Sequence, residues 1–240
     1  YEILHYRGRA ILEMDSKDSG TMLVVMAGPD AIEKFICDLP NVYMANFNSP
    51  KQTVISGNKT ALDEAKTRFT ANGIPCQDIA VNFAFHSPYM LPARNRLAEN
   101  ISAIQFNKPY IPLYSNSLAG AYPTDKEGMI SCLSDHLTGP VRFKEEIEAM
   151  FNDGARIYVE VGPRNVLTNL TRQILAGKRH IAIACNSSAP QHDIIQFHHA
   201  LAQLLAEGVD IKLERLFQGR EVKKLNIGGH DADSLKTQIG

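Results

Sequence analysis

The run Phe83-Ala84-Phe85-His86-Ser87-Pro88-Tyr89-Met90 holds the residue of this chain best suited to chemistry. A histidine takes and returns a proton near neutral pH, because its unperturbed pKa lies near 6.5. The local pattern places His86 at the end of a strand, where the chain turns into a new helix. A general base needs a group to activate, and the sequence contains neither a G-x-S-x-G nucleophile elbow nor a G-x-C-x-G equivalent. Ser87 is the nearest hydroxyl in sequence, but adjacent side chains on an extended backbone diverge, so it is a poor nucleophile for His86. The sequence therefore offers the base of a nucleophile–base pair without its nucleophile.

The elements that must position His86 fall into two patterns. Residues 1–14 read as a helix interrupted by Gly8. From Gly20 to Asn82 the order is compact: strand Thr21–Met26, helix Pro29–Cys37, strands Val42–Asn46 and Gln52–Ser56, helix Ala61–Asn72 and strand Cys76–Val81. Asn58 is placed to cap the second helix and Gly73 to end it. That β-α-β-β-α-β succession is the ferredoxin-like unit. After His86, helices (Met90–Ile104, Met129–Leu137, Phe143–Asn152, Val166–Leu175, His192–Glu207 ending at Gly208) alternate with apolar strands Ile111–Ser115, Arg156–Val161 and His180–Cys185. Such alternation predicts a parallel sheet covered on both faces. The chain thus divides into 1–19, a small unit 20–82, a large α/β unit 83–208, and a polar linker 209–240 with little order beyond about Leu225.

Bulk properties exclude several classes. The chain has 240 residues and a net charge of −1 with both signs interspersed, so neither nucleic acid nor an anionic membrane is indicated as a partner. No apolar run approaches the roughly 20 residues that span a bilayer. Cys37, Cys76, Cys132 and Cys185 have no metal-ligand spacing and read as reduced thiols of a cytoplasmic protein. His192, Asp193, His198 and His199 are rich in ligand types, but the adjacent pair points to different helix faces, so no metal is expected. Gly162-Pro163 before a helix lacks the glycine-rich loop of a phosphate cradle, and Asp15–Asp18 reads as a surface connector. Tyr1 already lies inside a helical pattern, so the chain reads as a piece of something longer.

Several stretches, taken in order, carry a resemblance. They are Arg7-Gly8-Arg9-Ala10-Ile11, Ala45-Asn46-Phe47-Asn48-Ser49-Pro50-Lys51-Gln52-Thr53-Val54-Ile55-Ser56-Gly57, Ala84-Phe85-His86-Ser87, Pro112-Leu113-Tyr114-Ser115-Asn116, Pro140-Val141-Arg142-Phe143 and Val159-Glu160-Val161-Gly162-Pro163. Together they resemble the malonyl-CoA:acyl-carrier-protein transacylases and the acyltransferase domains of polyketide and type I fatty acid synthases, from about residue 1 to residue 175. Leu216-Phe217-Gln218-Gly219-Arg220 is similar to the segment that follows such domains in polyketide synthases. The resemblance implies an α/β-hydrolase-like parallel sheet, here partial, with an inserted ferredoxin-like unit. It also implies a two-step transfer in which a serine in G-H-S-x-G attacks an acyl-CoA thioester. The phosphopantetheine thiol of an acyl carrier protein then takes the acyl group. No further cofactor is implied, and the serine segment would lie upstream of Tyr1.

The roles carried over are as follows. His86 matches the catalytic histidine, and His136 a position whose main-chain carbonyl orients it, so that the side chain of His136 is incidental. Arg7 matches the arginine that binds the free carboxylate of malonate, a task suited to a planar fork. Phe85 stands where malonyl-selective members carry phenylalanine, filling the space an α-methyl needs, a preference of about 1–3 kcal/mol. Phe83 departs from the histidine common in the malonyl type. Asn48 and Gln52 match a motif near the pocket, although their setting is also good turn chemistry. Asn116 and Glu160 read as structural. The expected activity is malonyl transfer from CoA to a carrier protein. The alternatives are a thioester hydrolase of the same family, against which Arg7 argues, and a non-catalytic carrier- or CoA-binding fragment.

Overall fold

A computed structural model of the chain describes residues 1–14, 19–187 and 192–221. The Asp15–Asp18 connector and the linker beyond residue 221 therefore lie outside the described residues. The first helix, α1 (Glu2–Leu12), leads to a unit made of β1 (Thr21–Val25), α2 (Pro29–Ile36), β2 (Val42–Ser49), β3 (Gln52–Gly57), α3 (Lys59–Ala71) and β4 (Cys76–Ile79). Its four strands lie in the order β2-β3-β1-β4, with every neighbouring pair antiparallel. The period of two along β1 sends Leu23 and Val25 to one face, where they pack with Ile32 and Ile36 of α2 and Leu62, Ala65 and Phe69 of α3. Met22 and Val24 pack on the other side with Ala45, Val54 and Phe85. The predicted ends of α3 are present: Asn58 Oδ1 accepts from Thr60 N at 2.9 Å, and Gly73 turns the chain at φ = 69°.

The chain after β4 departs from the sequence expectation in two places. Residues 83–86 are not a strand end. They form a turn in which His86 has φ = 60°, followed by a 3-10 turn Pro88–Met90 and then α4 (Leu91–Ile101). Ser87, buried, holds that turn by donating to Ala84 O at 2.5 Å and accepting from Tyr89 N, so hydrogen bonding here outweighs the β-propensity of the phenylalanines. The apolar run 111–115 is also not part of a parallel sheet: β5 (Tyr114–Ser115) pairs antiparallel with β6 (Gly120–Ala121). Pro112 removes a ladder donor from that run, and Ile111 and Leu113 stay exposed. A parallel strand pair joins β7 (Ile157–Pro163) to β8 (Ile181–Asn186), in the register Val159↔Ile183.

Four helices complete this part: α5 (Lys126–Asp135), α6 (Phe143–Asn152), α7 (Val166–Ile174) and α8 (Asp193–Ala206), which ends at Gly208 as expected. Glu160 is structural, as the sequence indicates. Its carboxylate caps α7 by accepting from Leu167 N at 3.1 Å, Thr168 N at 2.8 Å and Thr168 Oγ1 at 2.7 Å. A short 3-10 helix, Leu213–Phe217, follows α8. No described helix is long and apolar enough to cross a membrane.

Candidate active site

Three segments far apart in sequence meet around His86. The first is the end of α5. A helix terminus leaves its last carbonyls without intrahelical partners, and Gly139-Pro140 prevents the helix from continuing to satisfy them. The amides of residues 136–139 meet carbonyls of the last turn, and His86 donates to the carbonyls just past it. Its main-chain N–H donates to Leu137 O at 3.0 Å, and its ring Nδ1–H donates to His136 O at 2.9 Å and Gly139 O at 3.1 Å. Both ring acceptors are carbonyls, so the proton must sit on Nδ1 and the lone pair on Nε2. The carbonyl of His136 thus has the orienting position expected from the sequence, and the carbonyl of Gly139 shares it.

The second segment is the small unit, which fixes the approach to His86. Gly20 lies at φ = 73°, and a Cβ there would meet Gly57 O at 2.5 Å and Ala84 Cβ at 2.8 Å. Its absence lets Ser19 O accept from Ala84 N at 2.7 Å, two residues before the histidine. On the opposite side, β2 is stitched to the loop after α5. Val141 N donates to Ala45 O and Phe47 N to Val141 O, both at 2.8 Å. Phe85 packs both against the small sheet and against the α1–α4 cluster, which also takes Phe83. The two rings are 5.9 Å apart, and Phe85 is 6.5 Å from the ring of His86. Holding a non-glycine residue at positive φ costs about 1–3 kcal/mol, and this surrounding network keeps His86 there.

The third segment is α1, which carries Arg7. Ala10 of α1 packs with Ala93, Leu97 and Ile101 of α4. Arg94 of α4 bonds Asp135 of α5, with Nη2 2.7 Å from Oδ1. Arg7 Nη1 then donates to Nδ1 of His136 at 2.8 Å. Because arginine has no acceptor, the direction of this bond is fixed, and His136 must carry its own proton on Nε2. The side chain of His136 is therefore engaged, where the sequence alone gives it only an incidental part. The rings of His86 and His136 meet edge to face, 5.0 Å apart.

Electrostatics keeps this cluster poised. Burial lowers the pKa of His86 below its ordinary 6.5, against its two carbonyl bonds, and the charge of Arg7 lowers it further. His136 is pushed down to about 4, first by burial and then by the charges of Arg7 and His86. Both imidazoles are neutral at pH 7. Their folded-state values lie below the unfolded 6.5, so their contribution to stability is complete above pH 6.5 and is lost as pH falls, for His136 through about 4. Burial also lowers the Arg7 pKa, with Tyr122 opposing. Sequence reasoning misses Tyr122, because a lone tyrosine beside Ala121 carries no motif.

Asn48 and Gln52 stand apart from this cluster. Asn48 Nδ2 donates to Gln52 Oε1 at 2.8 Å across the β2–β3 turn, and Gln52 Nε2 contacts Met26 Sδ at 3.7 Å. Their polar groups serve the hairpin. Asn116 holds the loop before α6 by accepting at its main-chain oxygen from Arg142 N at 2.7 Å.

The arrangement unites a neutral imidazole, tied down on one nitrogen, with a half-buried guanidinium bridged to it through one residue. Comparison with known proteins shows where this belongs. The profile of the acyl transferase domain family matches residues 3–210, so the chain belongs to that family. It is 34% identical over 217 residues to a polyunsaturated fatty acid synthase polypeptide of Thraustochytrium sp., covering 88% of this chain and 8% of that protein. It is 30% identical over 178 residues to the malonyl CoA-acyl carrier protein transacylase of Escherichia coli K12, covering 72% of this chain and 57% of that one. A solved structure described as a type II polyketide synthase acyl-carrier protein in complex with its malonyl-transacylase aligns with a TM-score of 0.74 and 28% identity. That alignment covers 84% of this chain and 64% of the other. The mixed α/β fold thus resembles that of acyltransferases, and the chain spans less than two thirds of each of these relatives.

Proposed function

We propose that the chain supplies the base and the carboxylate clamp of an acyltransferase that moves a malonyl group from coenzyme A to the phosphopantetheine thiol of an acyl carrier protein. In this reading a serine from a segment outside these residues attacks the thioester carbonyl, and Nε2 of His86 takes its proton. The thiolate of coenzyme A leaves and accepts that proton from the imidazolium, giving a malonyl ester on serine. The carrier thiol repeats the sequence in reverse, with His86 again as base. Arg7 pairs with the free carboxylate of malonate, Phe85 and Phe83 wall the acyl pocket, and no cofactor beyond the thioester partners takes part. We read residues 20–82 as a ferredoxin-like insertion in an α/β-hydrolase-like unit formed by 1–19 and 83–208, followed by a linker at 209–240, in a cytoplasmic protein.

The observation that carries this reading is the fixed tautomer of His86, which leaves Nε2 free while the His136 and Gly139 carbonyls hold Nδ1–H. The relatives support the choice of malonyl and carrier partners, since a malonyl transacylase and a carrier-bound malonyl-transacylase both match. Equilibrium binding of malonyl-CoA and acetyl-CoA to the chain tests the clamp. Arg7→Ala is expected to weaken malonyl-CoA selectively and to retain acetyl-CoA. Equal losses for the two donors would remove Arg7 from the carboxylate.

A further inference from the structure

We infer that the imidazole of His136 is a positioning residue that holds Arg7 in place for the substrate carboxylate, so that one residue orients both halves of the site. This rests on the reading of Arg7 as the clamp. The geometry is specific. The main-chain oxygen of His136 receives the base at 2.9 Å, while its ring Nδ1 receives the guanidinium at 2.8 Å. A half-buried arginine that lacked this acceptor would keep an unsatisfied donor and several rotamers, and its fork would meet a carboxylate with less preorganisation. The bond engages Nη1, and a guanidinium has five N–H donors, so a carboxylate can still be met by others. His136 performs this task only while neutral, because a proton on Nδ1 would remove the acceptor and set a second positive charge beside Arg7. The burial of the pair and the charge of Arg7 favour the neutral ring. Selectivity for carboxylated over uncarboxylated acyl groups would then depend on a side chain that need not touch the substrate.

Two measurements on the chain test this together. The ring nitrogen resonances of His136, assigned by loss in His136→Gln, are expected to report a neutral Nε2–H tautomer at pH 7 whose Nδ1 signal shifts in Arg7→Met. A ring protonated on Nδ1, or one insensitive to Arg7→Met, would overturn the inference. In equilibrium binding, His136→Leu is expected to weaken malonyl-CoA by about 10- to 100-fold more than acetyl-CoA, the effect of losing one charge-assisted hydrogen bond. His136→Gln, whose side-chain oxygen can again accept from Arg7, is expected to restore most of that selectivity. Equal effects of His136→Leu on both donors, or no rescue by glutamine in a folded variant, would overturn the positioning role. If Arg7→Ala is selective while His136→Leu is not, the clamp stands and only this inference falls. If neither is selective, both fall.

Discussion

Two sheets among the described residues, the four-stranded unit and the β7–β8 pair, are finished to different degrees. In the four-stranded unit every central strand has two neighbours, and Leu23, Ile55 and Phe69 are essentially inaccessible beneath two helices. In the β7–β8 pair, Ile183 is 1% exposed, yet its register partner Val159 is 40% exposed and Val161, two residues on, is 87% exposed. Parallel strands are ordinarily covered on both faces. The first unit is therefore a packed platform that positions the approach to His86 through its contact with Phe85. In the second, Ala182 and Ile183 of β8 are buried, while Val159 and Val161 of β7 contribute little to the stability of the chain as described. The candidate site lies where the closed unit meets α1, α4 and α5, and the bonds that hold His86, His136 and Arg7 involve no residue of β7.

This contrast can be broken at four points. Phe69→Ala removes a fully buried ring from the closed unit and is expected to cost about 3–5 kcal/mol in a urea unfolding curve. Glu146 of α6 is buried, and that burial raises its pKa from 4.5 to about 6. A carboxyl with a raised folded-state value contributes stability below pH 4.5 that is lost as pH rises through 6. Glu146→Gln is expected to stabilise the chain at pH 7 by about 1–2 kcal/mol and to have little effect below pH 4.5, as thermal melts at both pH values would show. Asn58→Ala removes the α3 cap and is expected to cost about 1 kcal/mol, read from the same unfolding curves. Val161→Lys is expected to change unfolding free energy by less than about 0.5 kcal/mol. A loss comparable to that of Phe69→Ala would mean that the β7 face is packed in solution.

Local rules make much of this legible from sequence. The strands β1 and β3, the Asn58 cap and the Gly73 stop need only neighbours along the chain, and each is present in the structure. The same holds for β7 and β8, whose apolar runs pair in parallel. Sequence and structure part where hydrogen bonds to distant residues decide the outcome. Phe83 to His86 has the composition of a strand, but the bonds of Ser87 and the carbonyls at the end of α5 bend it into a turn. The run 111–115 has β-branched and aromatic residues, yet Pro112 leaves it only a two-residue pairing. At the site, the orienting carbonyl of His136 is anticipated through a resemblance. Its ring bond to Arg7 joins residues 129 positions apart and leaves no mark in sequence spacing.

The central claim is that His86 is the base for a serine supplied from outside these residues. Intact-mass spectrometry tests it most directly, on a protein that joins this chain to a G-H-S-x-G segment of a relative and is exposed to malonyl-CoA. The account predicts one malonyl adduct, mapped to the serine of that segment and lost in His86→Ala. An adduct that persists undiminished in His86→Ala, or that maps to a serine of this chain, would contradict it.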